Sequence, residues 1–346
     1  MQPYIVAFVV ALIVAYLSTP YVKKAAIKVG ALDAPDERKV HQTPIPRLGG
    51  IAIYLGVVVA VFASMHLSRE IVGLLVGGTV ILMIGIIDDL KPLTPKVKLL
   101  GQILAAGVLV LFGIQIEWIT NPFGDMFYLQ YLSVPITILW VVALTNTVNL
   151  IDGLDGLAAG VSTIAAITIC LVALDKSFVV AILAASLAGG ALGFLQHNFN
   201  PAKIFMGDTG SMFLGYMLAA ISVVGAVKSA TTIALIVPIV ALGLPIMDTA
   251  FAIVRRFTSG KPIFKADKGH LHHRLLAIGF TQKQAVVVMY LISAFLGASA
   301  ILLSMVSSIN GLLIVGFIGI VGLIGAFKIG VFKQEALSKG DSVKNN

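Results

Sequence analysis

Charge is scarce in this chain. Of its 346 residues 12% are Asp, Glu, Lys or Arg, against 58% hydrophobic, and the mean hydropathy is +1.01. A soluble domain carries about 25% charged and about 45–50% apolar residues, so a water-exposed globule is excluded. Cysteine is nearly missing as well: Cys170 stands alone inside an apolar run, which excludes a disulfide framework and a thiolate metal cluster. No internal repeat, low-complexity tract or soluble domain is readable, so a single membrane domain is expected. The net charge of +8 raises nucleic acid as a partner. In a membrane chain, however, basic residues mark cytoplasmic loops, and no nucleic-acid partner is expected.

What the chain does have is apolar runs. A span needs about 20 apolar residues. About eleven are readable, over residues 3–20, 48–65, 71–87, 99–115, 133–150, 156–174, 178–195, 209–226, 231–254, 285–306 and 309–331. The fold class is therefore all-α, a polytopic transmembrane helical bundle. No basic residue precedes the first run, and Lys23 and Lys24 follow it, as suits an uncleaved segment with its N-terminus outside. With that orientation 21 of the 24 lysines and arginines fall in inner loops, and only Arg69, Lys176 and Lys228 lie outside. The C-terminus is then cytoplasmic, with one membrane domain over residues 1–332 and a polar tail over 333–346.

The same topology gathers the chemistry on the inner face. Asp88, Asp89, Asp152, Asp155, Asp208 and Asp248 all fall toward it, with His41, His197, His270, His272 and His273; His66 alone is outside. A carboxylate within a bilayer costs about 2.5–3.5 kcal/mol on insertion scales, so such acids are functional-site candidates. In Asn149-Leu150-Ile151-Asp152-Gly153-Leu154-Asp155-Gly156 the two acids share one face if the backbone is helical; a capped turn is the alternative. Asp88 and Asp89 are adjacent at a helix end, with Lys96 and Lys98 beyond, so either one proton is held or a cation binds. The alternative is a solvated helix terminus.

Asn198-Phe199-Asn200-Pro201-Ala202-Lys203-Ile204-Phe205-Met206-Gly207-Asp208-Thr209-Gly210-Ser211 allows tight backbone around Asp208, a hard oxygen ligand of the kind magnesium prefers. The helix after it is expected to offer free N–H groups to phosphate oxygens, unless Asp208 is merely its cap. Phe205 could stack on a base, or face lipid or core. Lys268-Gly269-His270-Leu271-His272-His273-Arg274 lacks the His-Glu-x-x-His pattern of zinc proteases and fits a diphosphate-binding loop better. The first inner loop ends in Pro44-Ile45-Pro46-Arg47-Leu48-Gly49-Gly50, where Arg47 could meet a phosphate or serve topology alone.

Carboxylates for magnesium, a basic histidine loop and an inner-face location together suggest phosphoryl transfer between a nucleotide and a lipid. Five strings in order, PDERKVHQTPIPRLGG, GIIDDLKPLTPKVKLLGQ, NLIDGLDGLAAG, NFNPAKIFMGDTGS and HLHHR, resemble the polyprenyl-phosphate N-acetylhexosamine-1-phosphate transferases from about Asp33 to Arg274. The resemblance implies an eleven-span bacterial plasma-membrane enzyme with its site on the cytoplasmic face, dependent on Mg2+ with Mn2+ as a second candidate. It would move a HexNAc-1-phosphate from a UDP-sugar to undecaprenyl phosphate and release UMP. HLHHR and PRLGG look like the UDP-GlcNAc branch that starts teichoic acid or O-antigen polymers. The UDP-MurNAc-pentapeptide branch has a third histidine where this chain has Arg274.

Carried over residue by residue, the resemblance makes Asp208 the main magnesium ligand and Asn149 a second. Asp88, supported by Asp89, would deprotonate or orient the lipid phosphate, and Lys98 would lie near it. Asp152 and Asp155 resemble ribose and uracil contacts, Phe205 the uracil-stacking ring and Asn198 a nucleotide contact. His270, His272 and His273 would hold the diphosphate; outside that carry-over, Arg274 keeps a cation beside them, and Arg47 is a candidate substrate contact from its loop. A homodimer is a candidate assembly. Direct in-line attack by the lipid phosphate is the expected mechanism, with a covalent phosphosugar on Asp88 or Asp89 as its rival. A secondary transporter would want midplane acids in matched halves, which are not seen. An intramembrane aspartyl protease would need glycine where Phe205 stands.

Overall fold

A computed structural model of the chain describes residues 2–33, 44–119, 127–229, 236–258 and 269–306, with scattered helical positions between 311 and 324. His41, Lys261, Lys265, Lys268 and the tail from 333 lie outside the described residues.

The first helix, α1 (Pro3–Val29), has proline in its first turn and ends at Gly30, whose positive φ of 75° lets its N–H return to the Ala26 and Ile27 carbonyls. Twenty-seven residues of helix reach about 40 Å, beyond the roughly 30 Å of a bilayer's hydrocarbon. Pro20 interrupts it chemically: having no N–H, it leaves the Tyr16 carbonyl without its helical donor. His197 fills the gap, its Nε2 donating to that carbonyl at 3.1 Å while its ring lies 4.9 Å from the Tyr16 ring.

Next come α2 (Gly50–Ser64), α3 (Arg69–Leu90) and α4 (Pro95–Leu111). Ser68 opens α3 by accepting from the Ile71 N–H at 3.4 Å, and proline again occupies the first turn of α4. Then follow α5 (Ser133–Ile151), α6 (Leu157–Ala173), α7 (Phe178–Asn198) and α8 (Gly207–Ser229). The last are α9 (Ile236–Ala241), α10 (Gly243–Thr258), α11 (Leu271–Ala277) and α12 (Gln282–Leu303), the last opened by a Thr281–Gln284 capping box.

Helices coincide with the first ten expected runs, except that the ninth is broken at Leu242 into α9 and α10, beside Gly243 and Pro245. The eleventh run lies largely outside the described residues. Among the described residues six helical segments are long and apolar enough to cross a membrane: Pro3–Val29, Arg69–Leu90, Gln130–Ile151, Phe178–Asn198, Gly207–Ala226 and Gln282–Leu303; α2 and α6 are shorter apolar helices. The chain is thus an all-α polytopic membrane protein, with two short strand pairs among the described residues. β1 (Leu32–Asp33) pairs antiparallel with β2 (Ile45–Pro46), and β3 (Trp118–Ile119) with β4 (Phe127–Tyr128). Two-residue strands are too short for a period-2 pattern to announce them.

The helix at the centre is α8, which packs against α2, α3, α5, α6 and α7. Met212, Phe213, Leu214, Tyr216, Met217 and Leu218 are all fully buried, so α8 is apolar on every side because every side meets another helix. By contrast α1 has a stripe: Ala7, Ala11 and Ala15 are buried toward α2 and α7, while Ile5, Ile13 and Leu17 are exposed where lipid would lie. Because α3 to α8 alternate in direction, the ends of α3, α5 and α7 share one end of the bundle with the starts of α4, α6 and α8. The β3–β4 ribbon, between α4 and α5, caps the opposite end.

Candidate active site

Close approach of α3 and α8 sets the geometry. A side chain at Gly85 would place its Cβ 2.6 Å from the Thr209 backbone nitrogen and still nearer its Cα, so only glycine permits this crossing. The next turn of α3 therefore delivers Asp88 and Asp89 to the first turn of α8. Asp89 is buried and spends both oxygens there: Oδ1 accepts from the Asp208 N–H at 3.0 Å, and Oδ2 from the Thr209 N–H at 3.0 Å and hydroxyl at 2.6 Å. Gly207, with φ of 69°, leaves room for that carboxylate, which a Cβ would strike. This corrects the expectation that the start of α8 is open to phosphate. A carboxylate of the protein already occupies the positive end of the helix.

Asp88 faces elsewhere. Its Oδ1 accepts from the Leu93 N–H at 2.7 Å, and its Oδ2 lies 2.8 Å from the Lys98 ammonium. Lys98 also binds Asp208, so one ammonium bridges two carboxylates from different helices. Asn149, at the end of α5, donates from Nδ2 to Ser211 Oγ at 2.8 Å and lies in hydrogen-bonding reach of Asp208. Arg47 pairs with Asp33 and stands 4.0 Å from Asp89. A layer deeper, Gln102 and Asn146 exchange amide hydrogen bonds of 3.2 and 2.6 Å, clamping α4 to α5 one turn from Lys98 and Asn149.

The segment after α5 is a turn, not a helix, so Asp152 and Asp155 do not share a face. Asp155 accepts through Oδ2 from Asn200 Nδ2 at 3.0 Å and from the Ala202 N–H at 2.9 Å. Asn200 also donates to Gln282 at the start of α12, 2.8 Å away, and Tyr290 of α12 donates to the Gly156 carbonyl. Asn198 accepts from the Gly156 N–H and donates to the Ile204 carbonyl, both at 3.0 Å, so both its polar groups brace this loop. Asp152 turns toward the other acids. Loss of water, then the charges of Asp208, Asp89 and Asp155, push its carboxyl up to about 8, with Arg47 opposing.

Phe205 is held by its backbone, its N–H donating to the Pro46 carbonyl at 2.8 Å and its carbonyl accepting from the Gly49 N–H at 3.0 Å. Its half-buried side chain is thereby tied to the PRLGG segment. On the far side of the Asp152–Gly153 turn lies the histidine helix. His272 is buried against Gly153, His270 stacks on it with ring centroids 5.9 Å apart, and His273 lies at 4.2 Å. Arg274 donates from Nε to the Gly269 carbonyl at 3.2 Å. Burial, then neighbouring His273, brings the His272 imidazole down to about 3.

The described parts of the strings chosen from sequence thus meet at one end of the bundle. Sequence reasoning missed Thr209, Asn200, Gln282, Tyr290 and the Gln102–Asn146 pair. It noticed Asp248 only as an unassigned acid. Among the described residues no three His, Cys, Asp or Glu side chains gather closely enough to hold a metal ion unaided. The donors present still suit magnesium, which uses one or two carboxylates plus substrate phosphates: Asp208 and Asn149 offer oxygens only. At this junction Lys98 is shared by Asp88 and Asp208, and Arg47 answers Asp33 and stands near Asp89.

Comparison with known proteins bears on what this patch does. The Glycosyl transferase family 4 pattern matches residues 71–226, which hold most of these residues. A probable undecaprenyl-phosphate N-acetylglucosaminyl 1-phosphate transferase of Bacillus subtilis is 46% identical over 303 residues, 86% of this chain and 84% of that one. The decaprenyl-phosphate N-acetylglucosaminephosphotransferase of Mycobacterium tuberculosis is 40% identical over 326 residues, 84% and 81% of the two chains. A phospho-N-acetylmuramoyl-pentapeptide-transferase of Thermoanaerobacter is 32% identical over 307 residues, 84% and 93%. With identity of this extent over most of both chains, the protein belongs to the polyprenyl-phosphate N-acetylhexosamine-1-phosphate transferase family.

Proposed function

We propose that the chain transfers GlcNAc-1-phosphate from UDP-GlcNAc to undecaprenyl phosphate, giving undecaprenyl-diphosphate-GlcNAc and UMP, at the cytoplasmic face of a bacterial plasma membrane. The reading includes one membrane domain of eleven spans with its N-terminus outside, and a cytoplasmic tail from residue 333. Another UDP-HexNAc or UDP-MurNAc-pentapeptide is the alternative donor. The observation that carries the reading is the Lys98 ammonium bridging Asp88 and Asp208, with the histidine helix across the Asp152–Gly153 turn.

Two anions must meet. A phosphate oxygen of the lipid attacks the β-phosphorus of the UDP-sugar, a new P–O–P link forms, and the bond from that phosphorus to the bridging oxygen breaks. UMP leaves with the electron pair. Lys98 draws the lipid phosphate toward Asp88, which keeps the attacking oxygen free of its proton and aimed. Asp208 and Asn149 would hold magnesium, with manganese as a substitute; when bound, the ion offsets charge across the diphosphate. The histidine helix and Arg274 take the diphosphate from the other side, Phe205 stacks the uracil, and Asp152 meets the ribose. Asn198, whose amide oxygen and nitrogen are both engaged within the loop, and Asp155, engaged through Oδ2, shape the uracil pocket. Arg47 offsets the carboxylates beside it.

Purified protein in detergent, given undecaprenyl phosphate and a panel of UDP-HexNAc donors with Mg2+, should release UMP fastest from UDP-GlcNAc. No metal-dependent UMP from any donor would defeat the transferase chemistry. Labelled phosphosugar trapped on the protein without lipid would replace direct attack by a covalent route.

A further inference from the structure

Asp248 stands apart from the carboxylates at the α3–α8 junction. It is buried in α10, and an unmatched carboxylate there would be costly. Both its oxygens are engaged by the histidine segment. Oδ2 lies 2.9 Å from His270 Nδ1, and Oδ1 accepts from the N–H of Leu271, the first residue of α11, at 2.8 Å. His270 is itself buried and stacks parallel to His272, with 7° between the rings. His272 packs on Gly153, and neither of its ring nitrogens has a partner among the described residues. His273 adjoins His272, and Arg255 packs against Gly269, the residue before His270.

A carboxylate only accepts, so the proton of a neutral His270 must sit on Nδ1. We propose that Asp248 is a positioning residue for the histidine helix: it fixes His270 as the Nδ1–H tautomer and anchors α11 so that its imidazoles stand over the Asp152–Gly153 turn. Any proton His270 gains as the diphosphate arrives then goes to Nε2, and Asp248 balances the resulting charge. This role in substrate binding rests on the transferase reading; the tautomer assignment does not.

Asp248→Asn separates shape from chemistry. The amide still accepts from the Leu271 N–H, but its NH2 faces His270 Nδ1, which must become an acceptor, so the proton moves to Nε2. In ligand-free protein at alkaline pH, nitrogen-15 histidine spectra, with His270→Gln identifying the resonance, should show Nδ1–H in wild type and Nε2–H in Asp248→Asn. The KM for UDP-GlcNAc should rise about 10- to 100-fold, as expected when a charge-assisted hydrogen bond is lost, with a smaller change in kcat. Asp248→Glu should recover part of that loss, and thermal unfolding of Asp248→Asn should stay near wild type. An Nε2–H tautomer in wild type overturns the proposal, as does a wild-type KM in Asp248→Asn. So does a loss of activity that only follows lost stability. If wild-type protein releases no UMP from any donor, the transferase reading falls, and the ligand-free spectra still decide how Asp248 holds His270.

Discussion

At the α3–α8 junction both oxygens of Asp89 have donors, whereas across the Asp152–Gly153 turn His272 is buried with neither ring nitrogen matched among the described residues. The carboxylate side is closed upon itself: Asp89 caps α8, Lys98 ties Asp88 to Asp208, and the Gln102–Asn146 clamp lies beneath. The histidine side hangs on Asp248, with hydrogen-bonding capacity left over. A buried polar group without a partner costs about 1–3 kcal/mol, and proteins bear such costs where a ligand will meet them. One side is therefore a fixed mould, and the other is completed by what binds.

The sharpest way to break that contrast is at Asp208. Asp208→Asn should lower UMP release at least about 10³-fold while the protein still purifies as a folded species, because Lys98 keeps Asp88 as its partner. Retained turnover would remove Asp208 from the metal site. A comparison of the adjacent acids sharpens it further. Asp89→Asn should cost about 1–2 kcal/mol of stability through the weakened cap of α8, lowering the thermal midpoint in detergent. Asp88→Asn should leave that midpoint near wild type and remove activity; equal losses of stability would show that the two acids share one structural task.

Near neutral pH the smallest effect belongs to His272, because its contribution changes only in acid. Its folded-state value of about 3 lies below the ordinary 6.5, so between these limits the unfolded chain binds the extra proton. Stability from this site is thus fully present above about 6.5 and is lost as pH falls toward 3. His272→Gln should flatten that acid limb in pH-dependent unfolding; an unchanged limb would place the titration elsewhere.

Much of the site was legible because its residue types are expensive in a membrane. Carboxylates and imidazoles among apolar runs point to function wherever the chain folds, and topology puts them on one face. What sequence concealed are choices made by contact. Nothing local says that Asp89 rather than a ligand fills the end of α8, since that depends on Gly85 and Gly207 admitting two backbones so closely. The Asp248–His270 pair spans 22 residues and the Asp155–Asn200 pair 45, so no motif window holds either. The break between α9 and α10 was foreshadowed by Gly243 and Pro245, yet the continuous apolar run outweighed them.

His197 has one more consequence. Its ring serves the carbonyl that Pro20 abandons, and its own carbonyl accepts from the Lys203 N–H at 2.9 Å. The side chain and the backbone of one residue thus join the first helix to the segment that leads to Phe205, so α1 is fastened to the reacting end through a carbonyl that a proline left open.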